Sequence, residues 1–283
     1  MRTLIDEILA NEPMGYEHEY AHESTCGCAS CDSSNGSQEL QYDIILEDTR
    51  ILTTNTSDAP FRYICNLEWN GSPICTGTLI GPKTVLTAAH CLWDRVNDVK
   101  RNLTGNTLRV IPGRNGSSEP FGSAKAVKLL TAPGYNASKG MSQFDFAIIH
   151  LDKALGNTVG FWNYNYRKYS FDTTGNSILK GPLPMPAGSL KVNLSGYPGD
   201  KGGKHQYRAY EDTTKRQDGM LLYLNDTKGG HSGSPVWVRR SPDMGGRVMV
   251  GIHVGRVGAN MANPNLAVFI NDNVRSFIRA NTI

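Results

Sequence analysis

Cys75-Thr-Gly-Thr-Leu-Ile-Gly-Pro82, followed by Thr84-Val-Leu-Thr-Ala-Ala-His-Cys91, sets the pattern of the chain: short β-rich runs, divided by turn residues. Residues 76–80 and 84–87 of this stretch read as strands. The same texture surrounds them in Arg62–Trp69, Thr107–Ile111, Ala124–Leu130 and Phe144–Leu151. It returns in Leu190–Ser195, Gln206–Tyr210, Met220–Leu224, Pro235–Val238, Arg247–His253 and Ala267–Ile270. Strands this short and this regularly punctuated predict an all-β sandwich or barrel. Two groups of about six predict two six-stranded antiparallel β-barrels. The exception is Asn271–Asn281, where Val274, Phe277 and Ile278 share one face of a helix that Asn271 or Asp272 caps.

The 283 residues suffice for one large domain or two small ones. The barrels are expected over about 44–175 and 188–270, the helix over 271–281, with the Gly/Pro-rich stretch from Gly175 to Gly188 as linker. Ahead of them, residues 1–43 carry one Arg against nine acidic residues, a net −8, which leaves +11 on residues 44–283 out of the overall +3. This acidic leader is too polar in Glu17–Glu23 and Ser33–Ser37 to build a core, so poor order is expected. It is either a solvated tail or a pro-segment drawn to the basic body it covers. Met1–Ala10 has acidic residues inside its apolar run and does not read as an ordinary secretory signal, so either a signal has been removed or export takes another route. No run of about 18 apolar residues marks a membrane span.

Cys26, Cys28 and Cys31 cluster in the leader, where thiolates with His18 or His22 would make a metal site. The pairwise repeat usual for zinc is missing, and disulfides, one to Cys65 among them, are the preferred use. No metal, cofactor or nucleic acid is otherwise implied: Lys100-Arg101 and Arg239-Arg240 are too sparse for a nucleic-acid patch. A structural calcium ion would suit a loop-rich surface, but no ligand run marks its place.

Three residues carry candidate chemistry. His90 follows a strand and sits beside Cys91, 16 residues after Cys75; a Cys75–Cys91 disulfide would anchor it as a general base requires. Asp145 lies between Phe144 and Phe146 at the start of a strand, where burial is costly unless something bonds the carboxylate; a histidine N–H is its natural partner. Ser232 lies in Gly230-His-Ser-Gly-Ser-Pro235, where a glycine-flanked serine can expose its hydroxyl at a tight turn. Each residue alone also has an ordinary structural use, and a glycine-serine run is common loop composition. Their combination and order single them out, because serine is a weak nucleophile until a base accepts its proton. His150, His205 and His231 read as packed or solvated side chains. The sequons at Asn102, Asn136 and Asn225 are ordinary for loop-rich chains.

With these residues the chain resembles the chymotrypsin-like serine peptidases, and among them the bacterial glutamyl endopeptidases, over roughly Ile44 to the C-terminus. The closer match rests on residues 75–82, 87–91 and 143–148, Ser195-Gly-Tyr-Pro-Gly-Asp-Lys201, residues 230–235, Val250-Gly-Ile-His253 and residues 267–271. The resemblance implies chymotrypsin-like barrels with a His90, Asp145, Ser232 triad in the cleft between them and an oxyanion hole from the Gly230 and Ser232 N–H groups. It implies that His253 and Thr227 bind a substrate glutamate carboxylate. Asp226 stands where trypsin-like enzymes keep the aspartate that binds Lys or Arg. Arg256 departs from the small residue usual three positions past His253; it adds positive charge at the pocket mouth or obstructs it. Activation is expected near Asp43 to Ile45, freeing an α-amino group that helps bind the substrate carboxylate, with cleavage between Arg50 and Ile51 as the competing site. The implied protein is a secreted, monomeric zymogen acting on proteins or peptides, with its pro-segment as partner. Trypsin-like specificity, or a non-catalytic peptide- and metal-binding role, are the rival readings.

Overall fold

Strands come from the expected runs because each presents residues that gain from leaving water on a pleated surface. The computed structural model describes residues 48–94, 99–137, 142–162, 191–239, 246–256 and 264–283, excluding the side chains of 94 and 212–217. The acidic leader with Cys26, Cys28 and Cys31, and the Gly175–Gly188 linker, lie outside the described residues.

In chain order the first strands are β1 (Ile51–Leu52), β2 (Ile64–Trp69), β3 (Ser72–Gly81), β4 (Thr84–Thr87), β5 (Trp93–Asp94), β6 (Val99–Lys100), β7 (Leu108–Pro112), β8 (Ala124–Thr131) and β9 (Ala147–Leu151). Six of them close a barrel in the order β2-β3-β4-β9-β8-β7. Leu67, Leu79, Val85, Val110 and Ile149 share one face of its strands and Ile64, Leu86 and Ile148 the other, all at 0–1% exposure, so the sheet is covered on both sides. Each such side chain contributes about 1.5–3 kcal/mol by leaving water. The later strands are β10 (Lys191–Gly196), β11 (Tyr207–Gln217), β12 (Met220–Tyr223), β13 (Pro235–Arg239), β14 (Arg247–Arg256) and β15 (Asn265–Phe269). They run β1-β11-β10-β13-β14-β15-β12, and β11 also pairs with β12, which joins six strands into a second ring with β1 outside β11. Its interior holds Val192, Leu194, Leu221, Tyr223, Val236, Val250 and Phe269.

Two short α-helices, α1 (Leu155–Val159) and α2 (Asp272–Asn281), and 3₁₀ turns at Phe61–Tyr63, Ala89–Leu92 and Gly199–Lys201 complete the described elements. Asn271 caps α2 by accepting the Val274 N–H at 3.0 Å. Although α2 follows the second ring, its apolar face packs on the first: Phe277 meets Phe146 edge-on at 5.2 Å, and His150 Nε2 lies 2.7 Å from the Asn281 carbonyl.

Beyond shifted strand ends and the added elements β1, β5, β6 and α1, three details differ from the sequence expectation. β9 starts at Ala147 instead of Phe144, because residues 142–146 form a turn closed by Asp145 N–H donating to the Ser142 carbonyl at 2.9 Å. β11 extends to Gln217; its polar second half has no apolar alternation and is held by pairing with β12 across a bulge between Thr213 and Lys215. Cys65 is a free thiol, fully buried on β2, instead of a disulfide partner for the leader. Burial pushes that thiol well above its ordinary pKa, which keeps it protonated and unreactive.

Candidate active site

His90 is held from two sides. β4 ends at Thr87, the chain tightens into a 3₁₀ turn over Ala89–Leu92, and a Cys75–Cys91 disulfide (Cα–Cα 6.1 Å) ties that turn back to β3. On the other side, Asp145 accepts the His90 backbone N–H on Oδ1 at 2.9 Å, and His90 Nδ1 lies 2.7 Å from Oδ2. An ionised carboxylate only accepts, so the ring proton sits on Nδ1 and leaves a lone pair on Nε2. Two donors offset the cost of burying Asp145 at 0% exposure. Among the described residues His90 Nε2 is buried and has no hydrogen-bond partner.

Ser232 enters from the second ring, yet residues of the first position it. Thr76 on β3 donates its N–H to the Ser232 carbonyl at 2.8 Å and its hydroxyl to the Gly230 carbonyl at 2.7 Å, while accepting the Tyr197 N–H at 3.0 Å. Cys91 Sγ lies 3.6 Å from the same Ser232 carbonyl, so the nucleophile loop abuts the disulfide that anchors His90. Gly230 (φ +95°) and Gly233 (φ +84°) permit this approach. A Cβ at Gly230 would run into the Tyr197 carbonyl, and one at Gly233 into Thr76 and Thr87. Among the described residues the backbone N–H of Gly230 donates to no backbone carbonyl.

The expected pocket residues gather beside this loop, all buried. His253, on β14, places Nδ1 2.6 Å from the Tyr223 hydroxyl. Thr227 donates its hydroxyl to Asn265 Oδ1 at 2.9 Å, and Asn265 Nδ2 donates to the Asn225 carbonyl at 2.7 Å, which fixes the amide's orientation. Asp226 Oδ2 accepts both the backbone N–H of Thr49 at 2.8 Å and its hydroxyl at 2.6 Å. Arg256 ends β14 opposite Asn265 at 8% exposure.

His231 is the packed histidine the sequence suggested. Lys228 N–H donates to its Nδ1 at 3.1 Å, and its ring stands edge-on to His253 at 6.5 Å. Burial, with the Arg50 charge nearby, pushes its pKa down to about 3; burial likewise holds His253 well below its ordinary value, so both rings are neutral. Burial raises the Tyr223 hydroxyl well above 10, which keeps its proton in place.

Arg50, expected as a competing cleavage site, also makes buried ion pairs. Its side chain is fully buried between Asp48, which accepts from Nε at 2.8 Å, and Asp200, which accepts from NH1 at 2.9 Å. Arg50 holds the Asp48 carboxyl far below its ordinary pKa, and holds Asp200 low although burial opposes it. Sequence reading also missed Thr76, Tyr223, Asn265 and Thr49. Only Asn265 offered a signal, as an amide two residues ahead of the expected apolar strand Ala267–Ile270. Among the described residues the one group of three potential metal ligands is Cys75, His90 and Cys91, and its two sulfurs are joined in the disulfide.

The geometry sets an oriented imidazole, with a bare acceptor nitrogen, at the junction where a glycine-flanked serine arrives. The Trypsin family model matches residues 51–278. A glutamyl endopeptidase of Bacillus licheniformis is 36% identical over 199 residues, which cover 70% of this chain and 55% of that protein. An extracellular metalloprotease of Bacillus subtilis is 30% identical over 215 residues, 74% of this chain and 61% of the relative. This chain thus spans little more than half the length of these relatives. Among solved structures, that of a Glu endopeptidase in complex with MPD superposes with a TM-score of 0.65 at 29% identity, covering 83% of this chain and 97% of the other.

Proposed function

The chain belongs to the trypsin family, and on that premise we propose that it is a serine endopeptidase that cuts after Glu and is secreted as a zymogen. His90 Nε2 takes the proton of the Ser232 hydroxyl as Oγ attacks the substrate carbonyl carbon. The resulting oxyanion is held by the N–H groups of Gly230 and Ser232, whose carbonyls Thr76 already fixes. Collapse breaks the peptide C–N bond, the leaving amine takes the proton from His90, and water repeats the sequence to free Ser232. Asp145 holds the imidazole in the tautomer this requires and stabilises the imidazolium that forms. The observation that carries the proposal is the two-point hold of Asp145 on His90, with Nε2 left as the acceptor.

The Glu preference rests on the pocket. When the Tyr223 hydroxyl gives its proton to Nδ1, 2.6 Å away, in preference to the Leu266 carbonyl at 3.3 Å, His253 carries its own proton on Nε2, ready to donate to a carboxylate. Thr227 joins by turning its hydroxyl from Asn265 toward the substrate. A trypsin-like pocket needs an unencumbered carboxylate, whereas Asp226 is bonded twice by Thr49. Activation near Asp43 to Ile45 is favoured over a cut after Arg50, whose buried, doubly paired side chain a protease cannot grip without local unfolding.

A serine-directed fluorophosphonate should label the active protein at Ser232, and Ser232→Ala should abolish labelling and lower turnover by about 10⁴-fold or more. Residual turnover of the variant within about tenfold of the parent would sink the assignment.

A further inference from the structure

Of three residues just ahead of β1, Thr49 bonds to Asp226 in the proposed pocket, and Arg50 bonds to Asp200, whose turn is tied to the loop that carries Ser232. We propose that Asp48-Thr49-Arg50 is a built-in determinant of substrate preference: Thr49 occupies the Asp226 carboxylate, so that a pocket otherwise suited to Lys or Arg accepts an acidic side chain. This inference rests on the Glu preference proposed above and names a residue that enforces it.

Asp226 is 1% exposed and lies 177 positions from Thr49 in the chain. Its Oδ2 accepts from Thr49 twice, and the hydroxyl bond, at 2.6 Å, is of the short charge-assisted kind. The two donor dipoles lower the negative potential that Asp226 presents to the proposed pocket; removing the hydroxyl raises that potential, which repels a glutamate carboxylate and attracts an ammonium or guanidinium group.

Anchors on both sides hold Thr49 in register. Arg50 is clamped by Asp48 and Asp200, and Lys201 reaches Asp48 at 3.2 Å. Ile51 and Leu52 pair with Arg208 and Tyr207, and Thr53 N–H donates to the Gln206 carbonyl at 2.8 Å. The turn that carries Asp200 continues the tie, with Gly199 N–H donating to the Gly229 carbonyl at 2.6 Å. A cut near Asp43 to Ile45 leaves this segment on the body; a cut after Arg50 removes it.

The test compares kcat/KM on matched peptides with Glu or Arg before the scissile bond, using the full chain activated as the parent is. Thr49→Val keeps the shape and removes the hydroxyl. It should lower the Glu:Arg ratio by about tenfold, mainly through KM, while Thr49→Ser should keep the ratio within about threefold of the parent's. In Thr49→Val/Asp226→Asn the anion is gone, and the ratio should recover to within about threefold of the parent's. A merely structural role for Thr49 predicts equal losses on both peptides and no recovery in the double variant, which would overturn the proposal. A ratio that moves by less than about twofold in Thr49→Val would overturn it too. So would an active species whose first residue is Ile51. Should Thr49→Val fail to fold, Asp226→Asn alone decides: removing the charge should raise the Glu:Arg ratio, and an unchanged ratio contradicts the inference. A parent that prefers Arg refutes the Glu reading itself, an outcome separate from any shift among the variants.

Discussion

The two barrels hold their shares of the site in different ways. In the first, His90 and Asp145 are fixed by the barrel's own residues: a 16-residue disulfide loop and two hydrogen bonds to one carboxylate. In the second, the proposed pocket residues bond to one another, Tyr223 to His253 and Thr227 to Asn265, but two parts of the site are also held from outside it. Thr76 of the first barrel grips the backbone on both sides of His231, and Thr49, from ahead of β1, holds Asp226. The proposed base is therefore set locally, while the proposed pocket is assembled from distant parts of the chain. Changes in the first barrel should reduce turnover on every substrate alike, and changes around the second should re-weight substrates.

Asp145→Asn should break this comparison hardest. The amide can present an N–H toward Nδ1 and favour the wrong tautomer, so kcat should fall about 10⁴-fold, equally for Glu and Arg peptides. Steady-state kinetics on both peptides checks it, and a loss confined to one substrate would tie Asp145 to the pocket instead. Next, removing the disulfide with Cys75→Ala/Cys91→Ala should cost about 3 kcal/mol of unfolding free energy, the value expected for a loop of this length. Denaturant titration measures that cost, and the surviving activity should keep the parent's substrate preference.

The smallest effect concerns acid. His231 and His253 are neutral in the folded state, with His231 pushed from 6.5 to about 3 by burial. The unfolded chain takes up these protons near 6.5, so between there and about 3 it binds more protons than the folded chain, and stability falls as pH falls. At pH 5 the His231 share amounts to about 2 kcal/mol. The carboxylates of Asp48, Asp200 and Glu68, all held low in the fold, add their loss only below their ordinary values near 4. Thermal melts should accordingly drop between pH 7 and 5, and His231→Gln should flatten that part of the profile while leaving the carboxylate part in place.

What was legible in the sequence follows the same division. The strands of both barrels were legible because burial imposes an apolar pattern on a few consecutive residues, and α2 because its apolar face and Asn271 cap are local. His90 and Asp145 stood out because a base and its orienting carboxylate sit beside strand ends and a cysteine. The pocket was less legible, since its meaning lies in partners that no local pattern announces: Tyr223 for His253, Asn265 for Thr227, Thr49 for Asp226. Asp226 alone reads as a trypsin-like mark and Arg50 alone as a cut site; nothing local announces that Thr49 bonds the first or that Asp48 and Asp200 flank the second.

The central claim is a serine endopeptidase whose second barrel selects glutamate. Digestion of an unfolded protein by the active chain, with every new C-terminus identified by mass spectrometry, tests it most directly. New C-termini should end in Glu, with a minority in Asp, and Ser232→Ala should yield none. C-termini ending mainly in Lys or Arg would contradict it.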